Sequence, residues 1–380
     1  MPFFSFSINE IKPPLTKFDI TSNNVYFSKN TELWKKLSKK NSSIVNFLKR
    51  EKRPPVENIG KNILFCLPPS IGLGDAIEYA MAIKNISENN IFDKVAIAFS
   101  EDYSFLFKDF FKLENIYSFT IKKTEIDKFD TVFHLTLEIR SLVNQKYSRS
   151  NIFEEIIKFF KIKNIKRRKI EIQKNYKINK ISIFPVSNSP IRTMPIKILN
   201  ELIKMLIKDY SLEIFLDNNL EISNFLHNSI NVENVVVVDP KDKLDLISSI
   251  KNIQYGLFMD SGPLHVAKML NKRGVLLETS VSSKILLKNY KLIKGIENKF
   301  SSDFCKAPCG LTDIFNHNNT YGCYDSLKIK SIKFKNNNFK NMINRGVKNN
   351  YLENIKNPVG CLCSLNVQSI YNVIKKDLSL

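Results

Sequence analysis

Short apolar runs alternate with amphipathic stretches twice along this chain, and that alternation constrains the fold more than any other feature. The first run spans 62–67 and is closed by Pro68 and Pro69. It has no polar residue at every second position, so it reads as a strand buried on both faces. A glycine-containing loop follows at 70–75, then a helical stretch at 76–86. Strands are expected at 95–99, 116–121 and 131–135, with a helix at 103–111. Buried strands separated by amphipathic helices imply a parallel sheet covered on both faces.

The second alternation begins at 181–184 and continues with a helix after Pro195, a residue suited to a first helical turn. Strands follow at 212–216, 235–238, 255–259 and 274–277, the 235–238 run reading as buried. Helices are expected at 221–227, 244–250 and 264–270. The fold class is α/β: two Rossmann-like, doubly wound domains facing a cleft, with ligands beyond the carboxyl ends of the strands. A length of 380 residues suits two such cores. The boundaries read as an extension at 1–58, an N-terminal domain at 59–178 and a C-terminal domain at 179–300. Residues 301–380 hold most of the cysteines, a low-complexity insertion at 330–358 and a closing helix at 367–376. The extension carries one helical pattern at 31–49, and the Lys- and Arg-rich stretch 161–180 reads as the interdomain connection.

The net charge is +21, carried by 58 Lys and Arg against 37 Asp and Glu. The lysines are spread through Asn- and Ile-rich sequence and form no nucleic-acid-binding signature, so no nucleic-acid partner is expected. Such a chain is drawn instead to the anionic inner face of a membrane. No apolar run reaches about 18 residues, and the start lacks a signal-peptide pattern. A cytoplasmic protein, peripheral at most, is expected.

Four segments carry chemistry. Asp260-Ser261-Gly262-Pro263-Leu264-His265 follows a strand and opens a helix. Asp260 or Ser261 suits the cap, Gly262 admits a close neighbour, and Pro263 suits the first turn. A helix start of this kind attracts anions through its unpaired N–H groups and its dipole. In the first half, Gly72, Gly74 and Asp75 lie between a strand and a helix. Asp75 reads either as a general base or as a helix cap. The same glycines partly match a dinucleotide fingerprint, with Glu101 as the ribose acid, but Ile77 stands where the third small residue belongs. Arg192 follows the first strand of the second half, and its planar fork suits a diphosphate. Glu221 follows the next strand and suits a ribose or base. Finally, Cys305, Cys309 and Cys323, with Cys361 or Cys363, have the thiol count of a structural iron or zinc site.

Together these motifs resemble those of glycosyltransferase family nine, the bacterial heptosyltransferases. Residues 260–267 look like the family's D-[ST]-G-P-x-H-[LIV]-A signature, and 71–75 resemble its glycine–aspartate loop. Arg192-Thr193-Met194-Pro195 is similar to its basic-x-Trp-Pro segment, with Met194 in the Trp position. The resemblance implies a GT-B fold and inverting sugar transfer, with a heptose from an ADP-sugar expected and no cofactor required. Asp75 would be the base on the acceptor hydroxyl, Arg192 would hold the diphosphate and Glu221 the nucleoside. Asp260, Ser261, Gly262 and His265 would line the donor site. The acceptor would be a saccharide, a lipid-linked saccharide of lipopolysaccharide biosynthesis, or a protein. Cys305, Cys309 and Cys323 resemble three ligands of an iron site in the family's autotransporter-modifying branch. No D-x-D triplet occurs, which favours a route without a divalent metal. A nicotinamide-dependent oxidoreductase and a basic nucleic-acid-binding protein are the competing classes.

Overall fold

A computed structural model describes residues 3–5, 24–26, 59–67, 71–99, 103–118, 120–135, 140–142, 146–148, 151–165, 178–217, 221–230, 235–288, 290–302, 306–310, 323 and 355–379. The helix expected at 31–49 and the 330–354 part of the insertion lie outside them. The chain forms two compact units. One is Met1–Glu138 with Ser150–Arg168, the other Ile139–Arg149 with Lys169–Leu380.

The first unit is built on a five-stranded sheet ordered β1-β7-β3-β4-β5. These strands are β1 (Phe3–Ser5), β3 (Asn62–Cys66), β4 (Lys94–Phe99), β5 (Asn115–Ser118) and β7 (Thr131–His134). Every pair is parallel. Central β3 has its last four residues fully buried, as its unbroken apolar run requires. Burial also pushes the Cys66 thiol far above the usual thiol range. Helix α1 (Leu73–Glu88) packs on α2 (Ile152–Phe159), a helix that lies just before the Lys- and Arg-rich stretch. The Asn151 side chain caps α2 by accepting the Glu154 N–H at 3.0 Å. Edge-to-face rings of Phe65, Phe133 and Phe160 fill the space beneath the sheet.

Two expectations are corrected here. The strand expected at 116–121 is two strands, because β6 (Thr120–Lys122) leaves the sheet and pairs antiparallel with β2 (Asn24–Tyr26). The helix expected at 103–111 closes as a π-helical turn at Leu106–Phe110, burying Leu106 and Phe107.

The second unit holds a six-stranded, wholly parallel sheet ordered β12-β11-β10-β13-β14-β15. Its strands are β10 (Lys180–Phe184), β11 (Ser211–Phe215), β12 (Val235–Val238), β13 (Tyr255–Phe258), β14 (Gly274–Leu277) and β15 (Ile293–Ile296). A small hairpin of β8 (Arg140–Leu142) and β9 (Lys146–Ser148) belongs to this unit too. The run 235–238 is not buried. It is the sheet edge, with a neighbour on one side only, and Val236 is 59% exposed. On one face, α3 (Ile196–Leu206) packs its stripe of Ile198, Leu199, Leu202, Ile203 and Leu206 into the core. The other face stacks Phe184 between Phe215 and Phe258, at ring separations of 4.4 and 5.0 Å. Phe258 lies flat over paired Gly256 and Gly274, and a Cβ on Gly256 would fall 2.1 Å from its ring.

The closing helix α9 (Val367–Leu378) is pinned to the amino ends of the strands. Tyr255 donates its hydroxyl to the buried Asp377 carboxylate at 2.8 Å, and Lys294 pairs with that carboxylate. Arg273 donates to the Asp377 carbonyl at 3.0 Å. Burial, then the neighbouring Asp377 charge, pushes the Tyr255 hydroxyl well above the usual tyrosine range. Asp377→Ala leaves the Tyr255 hydroxyl buried without an acceptor, and urea unfolding is expected to show a loss of about 1–3 kcal/mol. The raised Tyr255 value also fixes a pH dependence. The unfolded tyrosine ionises near pH ~10 while the folded one stays protonated, so stability is full below that pH and falls above it. Tyr255→Phe is expected to flatten that alkaline decline, and an unchanged slope would overturn this account.

Candidate functional site

Ligand-facing groups in a doubly wound sheet lie where strands end and helices begin. In the second unit, β13 ends at Phe258 and α6 (Gly262–Met269) begins four residues later. Pro263 sits in the first turn. Ser261 holds the cap position, but its side chain does not cap. Its hydroxyl donates instead to the Met259 carbonyl at 3.4 Å. Leu264 bonds back to the Ser261 carbonyl at 3.1 Å, and Pro263 has no N–H to offer. The Gly262 N–H finds no acceptor among the described residues and stands half-open at the helix start. Asp260, Ser261 and His265 are buried around it.

Parallel pairing sets Phe184 of β10 opposite Phe258 of β13, so the loops after both strands rise side by side. The loop after β10 is fastened internally by Thr193. Its hydroxyl accepts the Ser187 N–H at 3.0 Å and lies 3.2 and 3.1 Å from the Ser187 and Ser189 carbonyls. Met194 is fully buried in the core and its N–H donates to the Pro185 carbonyl at 2.8 Å, so this position of the segment is an interior one. Pro195 is the cap of α3 rather than a first-turn residue. The folded loop delivers Arg192 to the end of β13. Its Nη1 donates to the Asp260 carbonyl at 2.9 Å and lies 3.5 Å from the Asp260 carboxylate. The two side chains are 12% and 3% exposed, so little water screens the pair.

The outer side of α6 is braced as well. Buried Lys268 donates to the Leu286 carbonyl at 2.9 Å, at the end of the short helix α7 (Ser283–Leu286). Glu278, just past β14, accepts the Ser283 N–H at 2.6 Å and fixes the start of α7. Thr193, Lys268 and Glu278 were not singled out from sequence. Only for Thr193 was there a local signal, its place beside Arg192 in the motif-like segment.

The remaining candidates fall elsewhere. Glu221 is the first residue of α4 (Glu221–Ser229), after β11. In the first unit, Gly72 is the cap residue of α1, so Asp75 is not a cap but a half-exposed carboxylate in the first turn. Gly74 is buried in the same turn. Tyr103 holds the loop by donating to the Ile71 carbonyl at 2.8 Å. Glu101 and Cys305 lie outside the described residues. Cys323 and Cys361 are buried in the apolar cluster, and the exposed Cys363 donates to the Pro358 carbonyl at 3.2 Å. Burial raises the Cys363 thiol, with Lys197 pulling the other way. Among the described residues, which do not include Cys305, no three His, Cys, Asp or Glu side chains converge as a metal site. Among them, too, no helix is long and apolar enough to cross a membrane.

No protein-family model matches the chain, and no curated protein matches it. Solved structures similar to it include the ADP-heptose lipopolysaccharide heptosyltransferase II of E. coli, at 14% identity and a TM-score of 0.45, covering 62% of this chain and 90% of that one. Another is a glycosyl transferase of family 9 from Veillonella parvula, at 11% identity and TM-score 0.46, covering 63% and 86%. A third is TibC, an iron-containing dodecameric glycosyltransferase of enterotoxigenic E. coli, at 12% and 0.46, covering 84% and 77%.

Removing Arg192 takes the guanidinium away from a buried carboxylate. Arg192→Ala is therefore expected to destabilise the protein by about 3 kcal/mol in urea, and Asp260→Asn in the same chain to recover part of that loss. Additive losses in the double variant would show the pair uncoupled.

Proposed function

We propose that the protein is an inverting glycosyltransferase that takes its sugar from a nucleotide diphosphate donor. The observation that carries this reading is the buried Arg192–Asp260 pair beside the open Gly262 N–H at the start of α6. A helix start and a guanidinium together meet the charge that builds on a departing diphosphate. Asp260, Ser261 and His265 shape the surrounding wall, and Glu221 serves the nucleoside.

The reaction is a single displacement. An acceptor hydroxyl attacks the anomeric carbon, the carbon–oxygen bond to the nucleoside diphosphate breaks, and the anomeric centre inverts. Asp75 takes the hydroxyl proton, and the nucleoside diphosphate leaves as the anion. Leaving-group charge is met by Arg192 and the α6 start, and no cofactor enters this scheme. An ADP-heptose is the favoured donor by the motif resemblance at 260–267, with a saccharide, lipid-linked saccharide or protein as acceptor. The excess of 58 basic over 37 acidic residues supports transient contact with an anionic membrane face on the cytoplasmic side.

A panel of ADP-, UDP- and GDP-sugars, followed by product analysis with the tightest binder, tests the assignment. With that donor, Asp75→Asn is expected to lower turnover about 10²–10⁴-fold while nucleotide affinity stays within about twofold. Undiminished turnover would remove Asp75 as the base. Failure of every nucleotide sugar to bind, beside tight NAD binding, would replace the reading with an oxidoreductase.

A further inference from the structure

A cavity of about 310 Å³ opens beyond the carboxyl ends of β14 and β15, within the second unit. It lies toward the sheet edge from α6, and the proposed transfer makes no use of it. Its size is at the low end of ligand pockets, enough for one sugar ring and too small for a dinucleotide.

The chemistry of its wall is specific. Glu278 is 4% exposed, and one of its carboxylate oxygens is spent on the Ser283 N–H. Its other oxygen has no donor among the described residues, although the residue lines the cavity. Buried Asn298 contributes a wall held in place, because its amide donates to the Cys361 carbonyl and accepts the Ser364 hydroxyl at 2.8 Å. Phe300 adds an aromatic surface, half-buried against the core. At the mouth stand Lys284, Lys299 and Lys306. Glu297 pairs with Lys284 at 3.4 Å and loosely with Lys299 at 3.8 Å. Among the described residues, Lys306 has no carboxylate within ion-pair distance.

We propose that this cavity binds an anionic monosaccharide unit, of the hexose phosphate or sugar acid kind. A free carboxylate oxygen accepts sugar hydroxyls, the face of Phe300 covers ring C–H groups, and Lys306 with Lys299 receives the anionic substituent. A bare phosphate has no use for Glu278, which repels it. A neutral sugar has no use for the unpaired lysine. The combination selects a ligand that carries both.

The test is calorimetric titration of the full chain with glucose 6-phosphate, glucose and inorganic phosphate, each with and without saturating ADP. Glucose 6-phosphate is expected to saturate in both conditions and to bind at least about tenfold more tightly than either fragment. Lys306→Ala is expected to weaken it about fivefold, and Phe300→Ala likewise, with ADP affinity unchanged in both variants. Phosphate matching glucose 6-phosphate would reduce the site to anion attraction and overturn the saccharide assignment. So would displacement by ADP, absence of saturation, or full affinity in both variants. ADP binding without glucose 6-phosphate binding sinks this proposal alone, while the converse sinks only the donor reading.

Discussion

Parallel pairing of β10 with β13 is the constraint on which the candidate site depends. It aligns Phe184 with Phe258, so both chains leave the sheet at the same level and on the same side. From there one loop carries Arg192 and the other carries Asp260, and a distance of 2.9 Å joins them. An antiparallel pairing would have sent these loops to opposite ends. The ion pair is therefore a consequence of strand direction, and the open start of α6 inherits its position from the same register.

The two ends of this sheet are built differently. At the amino ends, Tyr255, Arg273 and Lys294 converge on Asp377 and close the sheet against α9. The Tyr255 hydroxyl, the Asp377 carboxylate and the Lys294 ammonium each have a partner in that knot, which suits a structural joint. At the carboxyl ends, the Gly262 N–H and one oxygen of Glu278 have no partner among the described residues. Backbone and carboxylate groups without partners are costly when buried and are retained where something else satisfies them. That asymmetry separates the face that holds the unit together from the face that can meet a ligand.

The loop after β10 shows how a short irregular segment is made rigid. Thr193 ties Ser187 and Ser189 together through one hydroxyl, while Met194 anchors the loop by filling the core. Arg192, between them in function, is thus held by its neighbours before it touches Asp260. On the far side of α6, Lys268 and Glu278 do the same through α7. Few long, freely rotating groups are asked to find the site unaided, which lowers the entropy cost of assembling it.

What the sequence determined by itself was the local order. Apolar runs without alternation required buried parallel strands, and the Asp260–His265 segment announced a strand–helix junction with an anion-seeking start. These are properties of neighbouring residues, so spacing alone exposes them. It misjudged 235–238 because four valines look the same at a sheet edge as at its centre, and only strand order decides which flank is covered. It joined Arg192 to a ligand but not to Asp260, 68 positions away. It could not see that Glu278 and Asn298 share a cavity wall, since strand packing alone brings those distant residues together. Tertiary structure decided these points because direction, register and edge are set by contacts between segments, and no segment encodes its partner.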